Sequence, residues 1–410
     1  MEQFNPCITL LQRDPYPVYR QYRRNDPVHL GLPPLPEYPE SWYLFRYDDI
    51  ESVLKNRAFI NERTKANYAL PCSPALLERE PLWQILEKWI LLSDPPTHTR
   101  IRSSVTGAFT KKSVQLLEPL IQRTANQLLD KVIARGEMDL VEDYAAPLPL
   151  AVISQLLGIH IEPPGQFRTW SKAVANALDT ASGPDFYDRA LQLMTDIVGQ
   201  LKHDFRDKRR DNADDGLIAD LLAAQSGADG LQDDELISLC TLLMFAGQET
   251  TIDAIGNCVL SLLQHPDQLG KLVADHALLP GAVEELLRYN SPLQMAVVRV
   301  AAEDTEVGGR LLRRGDNVTA VLGAANRDPE KFPDPDCLDI TRIIGARNVI
   351  FGQGIHICLG AHLARLELQI ALGSLLHRVK AMHLKSDQLQ WRNNVSFRGL
   401  TTLPVTFEPA

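Results

Sequence analysis

The chemistry of this chain gathers around one cysteine. Residues 351–367 read FGQGIHICLGAHLARLE, a glycine-punctuated loop that carries Cys358 and turns into an amphipathic helix. Gly352 and Gly354 suit backbone conformations that other residues resist. Gly360, two residues past the thiol, leaves room for something flat and close. Leu359, Leu363, Leu366 and Ile370 recur at helical spacing, so the helix buries that face. Cys358 then sits at the mouth of a helix N-terminus, where the dipole and free N–H groups favour thiolate over thiol. A preformed loop, a thiolate and a cleared space are what a haem iron needs on its proximal side. A second stretch, LLMFAGQETT at 242–251, is apolar and then abruptly polar. Ala246, Gly247 and Thr250 share one helical face. Glycine and hydroxyl side chains in mid-helix weaken the backbone ladder and open a groove for dioxygen and water.

The run Phe351-Gly352-x-Gly354-x-His356-x-Cys358-x-Gly360 resembles the haem-binding signature of the cytochrome P450 monooxygenases. Gln353 and His362 depart from the commonest bacterial version, and neither is a ligand position. The resemblance covers nearly the whole chain and is strongest from about 233 to 370. It implies haem b (iron protoporphyrin IX) with the Cys358 thiolate as axial ligand. Phe351, His356 and Gly360 then belong to the proximal loop, and Ala246 and Gly247 to the opposite face. Glu249 and Thr250 match the acid and alcohol of the family's oxygen-activation motif, which act as positioned proton-delivery groups. His98 and Arg102, four apart on one helical face, and Arg299 match positions that meet the haem propionates. Negative charge carried into a partly dry site must find cationic donors. Glu285 and Arg288 match the family's Glu-x-x-Arg pair, and Arg342 the third member of that cluster. Their expected role is structural, holding the loop that presents Cys358.

The same resemblance assigns the substrate wall. Leu243, Leu293, Gln294, Met295, Val297 and Phe397 are the expected contacts, with Leu70, Leu76, Leu77, Trp83 and Leu86 from the long irregular stretch 62–93. These side chains are mostly apolar, so the expected substrate is a medium-to-large lipophilic molecule. Similarity to bacterial enzymes acting on fatty-acyl or polyketide compounds points to natural-product tailoring, with the substrate free or bound to a carrier protein. Flavin and iron–sulfur sequences are absent. Electrons are therefore expected from a separate ferredoxin or flavodoxin with its NAD(P)H reductase, docking near Arg102, Lys111, Lys112, Arg347 and Arg365.

The elements that must position these groups are mainly helical. The fold class expected from the resemblance is mainly α with small β-sheets: one cytochrome P450 domain over 1–410, with a long central helix over a haem in a triangular prism. Its β-rich part covers about 28–60, 293–320 and 380–410, and its helical part about 94–290 and 358–378. Residues 15–25 read as a helix and Trp42 to Arg46 as a strand. Asp48-Asp49 are read as capping a helix through Leu54. The longest helical pattern runs from Asp233 to about Leu263, and Leu293 to Arg299 read as a strand. Residues 165–204 are expected to supply two lid helices, joined near 180–185.

Composition fits this picture. The chain has 410 residues, 45% of them hydrophobic and 23% charged, as in an ordinary soluble protein. The net charge of −10 argues against nucleic acid as a partner. Six cysteines without paired spacing suggest reduced thiols in a cytoplasm. The start of the chain shows no charged-then-apolar signal, and no apolar run reaches the roughly 20 residues of a membrane span. Three rival readings stand beside the monooxygenase. They are a peroxide-driven haem-thiolate peroxygenase, a non-catalytic haem sensor or carrier, and a structural zinc protein using Cys358, His356 and His362.

Overall fold

Helical periodicity fills the middle of the chain and short strands gather at its two ends. The computed structural model describes residues 3–10, 14–33, 39–62, 85–159, 164–178, 184–211, 216–225, 230–343 and 345–410. Near the start lie β1 (Val28–Gly31), β2 (Ser41–Leu44) and β3 (Phe59–Ile60). The helices that frame the site are α1 (Thr97–Thr106), α2 (Pro147–Leu157), α3 (Pro164–Leu178), α4 (Asp233–Gln264) and α5 (Leu279–Tyr289). Then come β4 (Arg299–Ala301), β5 (Asn317–Ala320) and α6 (Ala361–Arg378).

Helix α4 is the axis of the molecule. It opens on a reciprocal capping box between Gln232 and Glu235, with three acidic residues in its first turn facing the positive end of the dipole. Its 32 residues extend about 48 Å at the standard rise. It is apolar on nearly every side, so burial rather than a single wet face stabilises it. It packs against α2, α3, α5 and α6. The five-stranded sheet has the order β1-β2-β5-β4-β3, with β2 and β5 parallel in the register Ser41↔Asn317 and the other pairs antiparallel. A large hydrophobic cluster joins the helices, and a second one lies under this sheet.

Three local expectations change. Residues 293–299 do not form a strand: Leu293 bridges Phe397 and Met295 bridges Val321, two separate partners that make no ladder, and the strand begins only at Arg299. Asp48 and Asp49 lie in the first turn of helix Tyr47–Lys55, whose N-cap, Arg46, makes no side-chain cap bond. They favour the helix through its dipole. Within the stretch read as helical, Glu137–Asp139 is a strand, because it finds the last strand, Pro404–Pro409, as a partner. Leu70, Leu76, Leu77, Trp83 and most of the lid connection near 180–185 lie outside the described residues.

Candidate active site

Two glycines and a buried ion cluster set the cysteine loop. Gly354 has φ +71°, and a Cβ there would stand 2.3 Å from the Leu54 carbonyl oxygen, so backbone approaches where a side chain cannot fit. The Cys358 N–H donates to the Phe351 carbonyl at 2.7 Å and closes the loop. Behind it, Arg288 donates to both oxygens of Glu285, at 2.6 and 2.7 Å, with both side chains fully buried. Arg342 adds a third bond to the same carboxylate at 3.1 Å. Arg288 reaches the carbonyls of Asn326 and Pro335 at 2.9 and 2.8 Å, and Arg342 that of Cys337 at 3.0 Å. The Asn326 side chain in turn accepts from the Val349 N–H at 2.9 Å, two residues before Phe351. The cluster therefore pins the segment leading to Cys358 onto α5.

Cys358 opens into a cavity of about 440 Å3 that reaches across to α4. Burial pushes its thiol up, against the Gly360 N–H and the charges of Arg102 and Arg365, which pull it down. α6 starts at Ala361 with Gly360 as its N-cap, so the sulfur stands just before the first turn, with the Gly360 N–H as its backbone donor. Metal binding selects the deprotonated ligand. His98, Arg102, Arg299, Phe351, His356 and Gly360 all line the same cavity. The His98 and His356 rings stand 4.3 Å apart; His98 Nδ1 is buried without a hydrogen-bond partner, and His356 Nε2 faces only Asp94 Oδ1, at 3.9 Å. Burial, then the nearby His356 and Arg102, hold His98 down to about 4. Arg102 donates to the Ile357 carbonyl at 2.7 Å, and Arg299 to those of Val53 and Leu54 at 3.1 Å each.

These residues fit haem b. The orphaned His98 nitrogen, the loosely paired His356 and two guanidinium groups gather beside the thiol, where propionate carboxylates would satisfy them. A Cβ on Gly360 would touch nothing within 4 Å, so this face of the loop leaves a flat group clear. Across the cavity, Ala246, Gly247 and Thr250 all face inward. The Thr250 hydroxyl donates to the Ala246 carbonyl at 2.9 Å, which turns its lone pairs toward the cavity. A Cβ on Gly247 would meet Ile153 of α2 at 3.3 Å, so this glycine also lets two helices approach closely.

Three expected residues are not brought to the site, the first being Leu86, which is fully buried in the core and does not line the cavity. Glu249 is 1% exposed and is not among the described cavity-lining residues. It follows the helical rotation one residue before Thr250 and faces α3, where it accepts from Ser171 and pairs with Arg392. Gln294 is also fully buried and off the cavity, its amide donating to the Ser291 carbonyl at 2.7 Å. Leu243, Leu293, Met295, Val297 and Phe397 do line it, as do Leu239 and Leu242, which sequence reasoning missed. Leu239, Leu242, Leu243 and Ala246 follow the i, i+3, i+4, i+7 rule, a signal that was there to be read. Thr251 and Glu367 were also missed. Both line the cavity, and nothing in local sequence announces that they meet across more than a hundred residues.

Among the described residues no group of three His, Cys, Asp or Glu is placed to hold a metal ion, which removes the structural zinc reading. No described helix is long and apolar enough to cross a membrane. Of the residues expected to dock a redox partner, Lys111, Lys112 and Arg347 are exposed. Arg365 instead pairs with Glu284 and stacks on Phe351 at 4.3 Å.

Comparison with known proteins agrees with this geometry. The family model described as Cytochrome P450 matches residues 184–407. Cytochrome P450 107B1 of Saccharopolyspora erythraea is 41% identical over 89% of each chain. Polyketide biosynthesis cytochrome P450 PksS of Bacillus subtilis is 37% identical over 98% of each. Among solved structures, P450BioI in complex with hexadec-9Z-enoic acid ligated acyl carrier protein superposes with a TM-score of 0.89 at 36% identity, covering 97% of this chain and 99% of that one.

Proposed function

Since this chain belongs to the cytochrome P450 family of haem-thiolate monooxygenases, we propose that it oxygenates a lipophilic molecule of fatty-acyl or polyketide type, by C–H hydroxylation or C=C epoxidation. The observation that carries this reading is the cavity wall. Leu239, Leu242, Leu243, Leu293 and Phe397 face the same space as Thr250 and Cys358. Such a wall binds through area removed from water and offers few directional contacts, so it selects by shape and apolarity. The names of the relatives support the compound class: one is named for polyketide biosynthesis, and one was crystallised with a fatty acid on a carrier protein.

Haem b supplies the chemistry that no side chain here has, the reductive activation of dioxygen and the insertion of one oxygen atom into substrate. The chain's own residues hold, orient and exclude. Cys358 provides the thiolate. His98, Arg102, Arg299 and His356 provide donors for the two propionates, with Phe351 and Gly360 completing the proximal loop. Thr250, its proton committed to Ala246, accepts a hydrogen bond from a cavity water and orients it. Ala246 and Gly247 keep bulk away from that water. Glu285, Arg288 and Arg342 keep the Cys358 loop in place. Glu249 reaches the cavity only on leaving Ser171 and Arg392, so proton relay through it needs a change of rotamer.

Electrons come from a separate ferredoxin or flavodoxin with its NAD(P)H reductase, docking by the exposed cations Lys111, Lys112 and Arg347. The substrate reading is tested by titrating the ferric protein with long-chain fatty acids, macrolactone polyketides and the same acyl chains on a carrier protein. Displacement of the iron's water ligand shifts the Soret band. At least one class is expected to shift it at micromolar concentration, and silence from all of them removes the substrate class.

A further inference from the structure

The five-stranded sheet turns one of its faces toward the cavity. Side chains alternate across a strand, so on β2 Ser41 and Tyr43 share one face, and Trp42 and Leu44 the other. On β5 Asn317 and Thr319 share one face, and Val318 and Ala320 the other. The parallel register pairs Ser41 with Asn317 and Tyr43 with Thr319, so like faces match. Trp42, Leu44, Val318 and Ala320 pack into the hydrophobic cluster under the sheet. Ser41, Tyr43, Asn317 and Thr319 all line the cavity. Core packing accounts for the first set. It gives no reason for two aliphatic hydroxyls and an amide in the second, because a buried polar group costs free energy unless it is bonded.

The bonding of this patch is incomplete. Ser41 Oγ and Thr319 Oγ1 stand 2.8 Å apart, and either oxygen can be the donor. One hydroxyl proton closes that bond. The second finds no acceptor among the described residues, although both residues are only 4% exposed. The Tyr43 hydroxyl is committed to the Leu32 carbonyl at 2.9 Å. The patch also has no cation of its own. Arg299, on the neighbouring strand β4, pairs in register with Val318 and so belongs to the other face, where it donates to the Val53 and Leu54 carbonyls. The apolar wall begins beside the patch. β5 runs on from Thr319 to Ala320, whose carbonyl accepts from the Ala296 N–H at 3.0 Å, and then to Val321, which bridges Met295. Met295 and Ala296 both line the cavity.

We propose that Ser41 and Thr319 form a binding subsite for a neutral carbonyl of the substrate (an ester, lactone or thioester) and that this subsite selects against a free carboxylate. The hydroxyl pair donates its second proton to the carbonyl oxygen, while the apolar body of the molecule lies along Met295, Ala296 and the leucines of α4. A carboxylate at the same place has a donor but no counter-charge, and burying an unpaired charge costs far more than burying a carbonyl. A tail without oxygen leaves the hydroxyl proton unbonded. This inference rests on the lipophilic-substrate reading and narrows it. The favoured compounds are those whose carboxyl is masked, as in a macrolactone or an acyl chain on a carrier, in place of free fatty acids.

The test uses the haem-loaded enzyme and probes that bind the iron through an imidazole. Three kinds of tail are compared at graded chain lengths: plain alkyl, alkyl with a terminal methyl ester, and alkyl with a terminal carboxylate. Binding is read from the Soret shift of nitrogen ligation. At the length that reaches the sheet, the ester is expected to bind about fivefold more tightly than the plain tail, the scale of one net hydrogen bond. The carboxylate is expected to bind more weakly than either. Ser41→Ala combined with Thr319→Val is expected to bring the ester down to the plain tail's affinity and to leave the plain tail's own affinity in place. Thr319→Ser, which keeps the hydroxyl, is expected to keep the ester's advantage. Ester and plain tails that bind alike at every length in the parent overturn the proposal. So does a carboxylate that binds tightest, and so does an ester-to-alkyl ratio unchanged by the loss of both hydroxyls. Silence from all fatty-acyl and polyketide ligands removes the substrate class, whereas these outcomes stay readable because the imidazole holds each probe at the iron.

Discussion

On the Cys358 side of the cavity one carboxylate holds two guanidiniums, which reach on to several backbone carbonyls of the segment before the loop. On the substrate side, where Thr250 also faces, the side chains that form the wall are leucine, methionine, valine and phenylalanine, which offer contact area and not directed side-chain bonds. The first region is fixed by bonds with a preferred distance and angle, the second by contact area, which has none. One side must place a sulfur to within a fraction of an ångström. The other must admit molecules of differing outline. The contrast predicts that substitutions on the cysteine side act all or none, while those on the substrate wall act by degree.

The largest effect belongs to the sulfur. Cys358→Ser is expected to abolish product formation and to move the carbon monoxide band of the reduced protein away from the position of thiolate-ligated iron. A variant that kept that band would break the comparison at its root. Next comes the cluster behind it. Arg288→Ala leaves Glu285 charged and buried with only Arg342 and the Asp339 N–H as partners, a loss that costs about 3–5 kcal/mol for such pairs. Urea unfolding of the apo and haem-loaded forms measures it, and haem content is expected to fall in parallel. Leu243→Ala, on the other wall, widens a cavity that is already present and is expected to cost clearly less. Equal losses would show that the two sides are held alike. Smaller again is Thr250→Ala. It is expected to leave the haem spectrum and unfolding midpoint in place and to lower product per NAD(P)H toward the ~10²-fold that a positioned proton-transfer group contributes, with peroxide taking up the difference.

How much of this was legible in the sequence follows the same divide. The cysteine loop could be read because its constraints are local. Gly354 is needed where backbone meets Leu54, and Glu285 and Arg288 are three residues apart on one helix. The extent of α4 could be read for the same reason, from a capping box and an unbroken apolar run. Gln294 could not. The resemblance assigned it to the cavity with its neighbours, but residues 293–299 form no ladder and its amide turns to the Ser291 carbonyl. Glu249 failed differently: its motif fixes its place in the chain, while its direction is set by Ser171 and Arg392, 78 and roughly 140 residues away. Local pattern fixes which helix a residue occupies, and only tertiary contact fixes what it faces.

Glu367 lies across this divide, and its titration gives the finest test of it. It stands on α6, the helix of the cysteine side, yet it lines the cavity close to Thr251 of α4. Burial pushes its carboxyl up to about 8 from an ordinary 4.5, and the Thr251 side chain lowers it only in part. In the unfolded chain the group ionises at its ordinary value, whereas the folded protein keeps the proton until about pH 8. Between those limits the folded state holds more protons, so its stability falls as pH rises, by at most about 1.4 kcal/mol per pH unit for one group, and levels off above pH 8. Glu367→Gln keeps an oxygen for Thr251 and has no proton to lose. The difference in unfolding free energy between parent and variant is therefore expected to shift by about 1 kcal/mol toward the variant from pH 6 to pH 7, read from urea midpoints at both values. All other titrating groups cancel in that difference. Parallel behaviour of the two proteins would mean that Glu367 is already ionised at pH 6 and that the seam between the two helices is wet, which would dissolve the boundary between a bonded side and an apolar one.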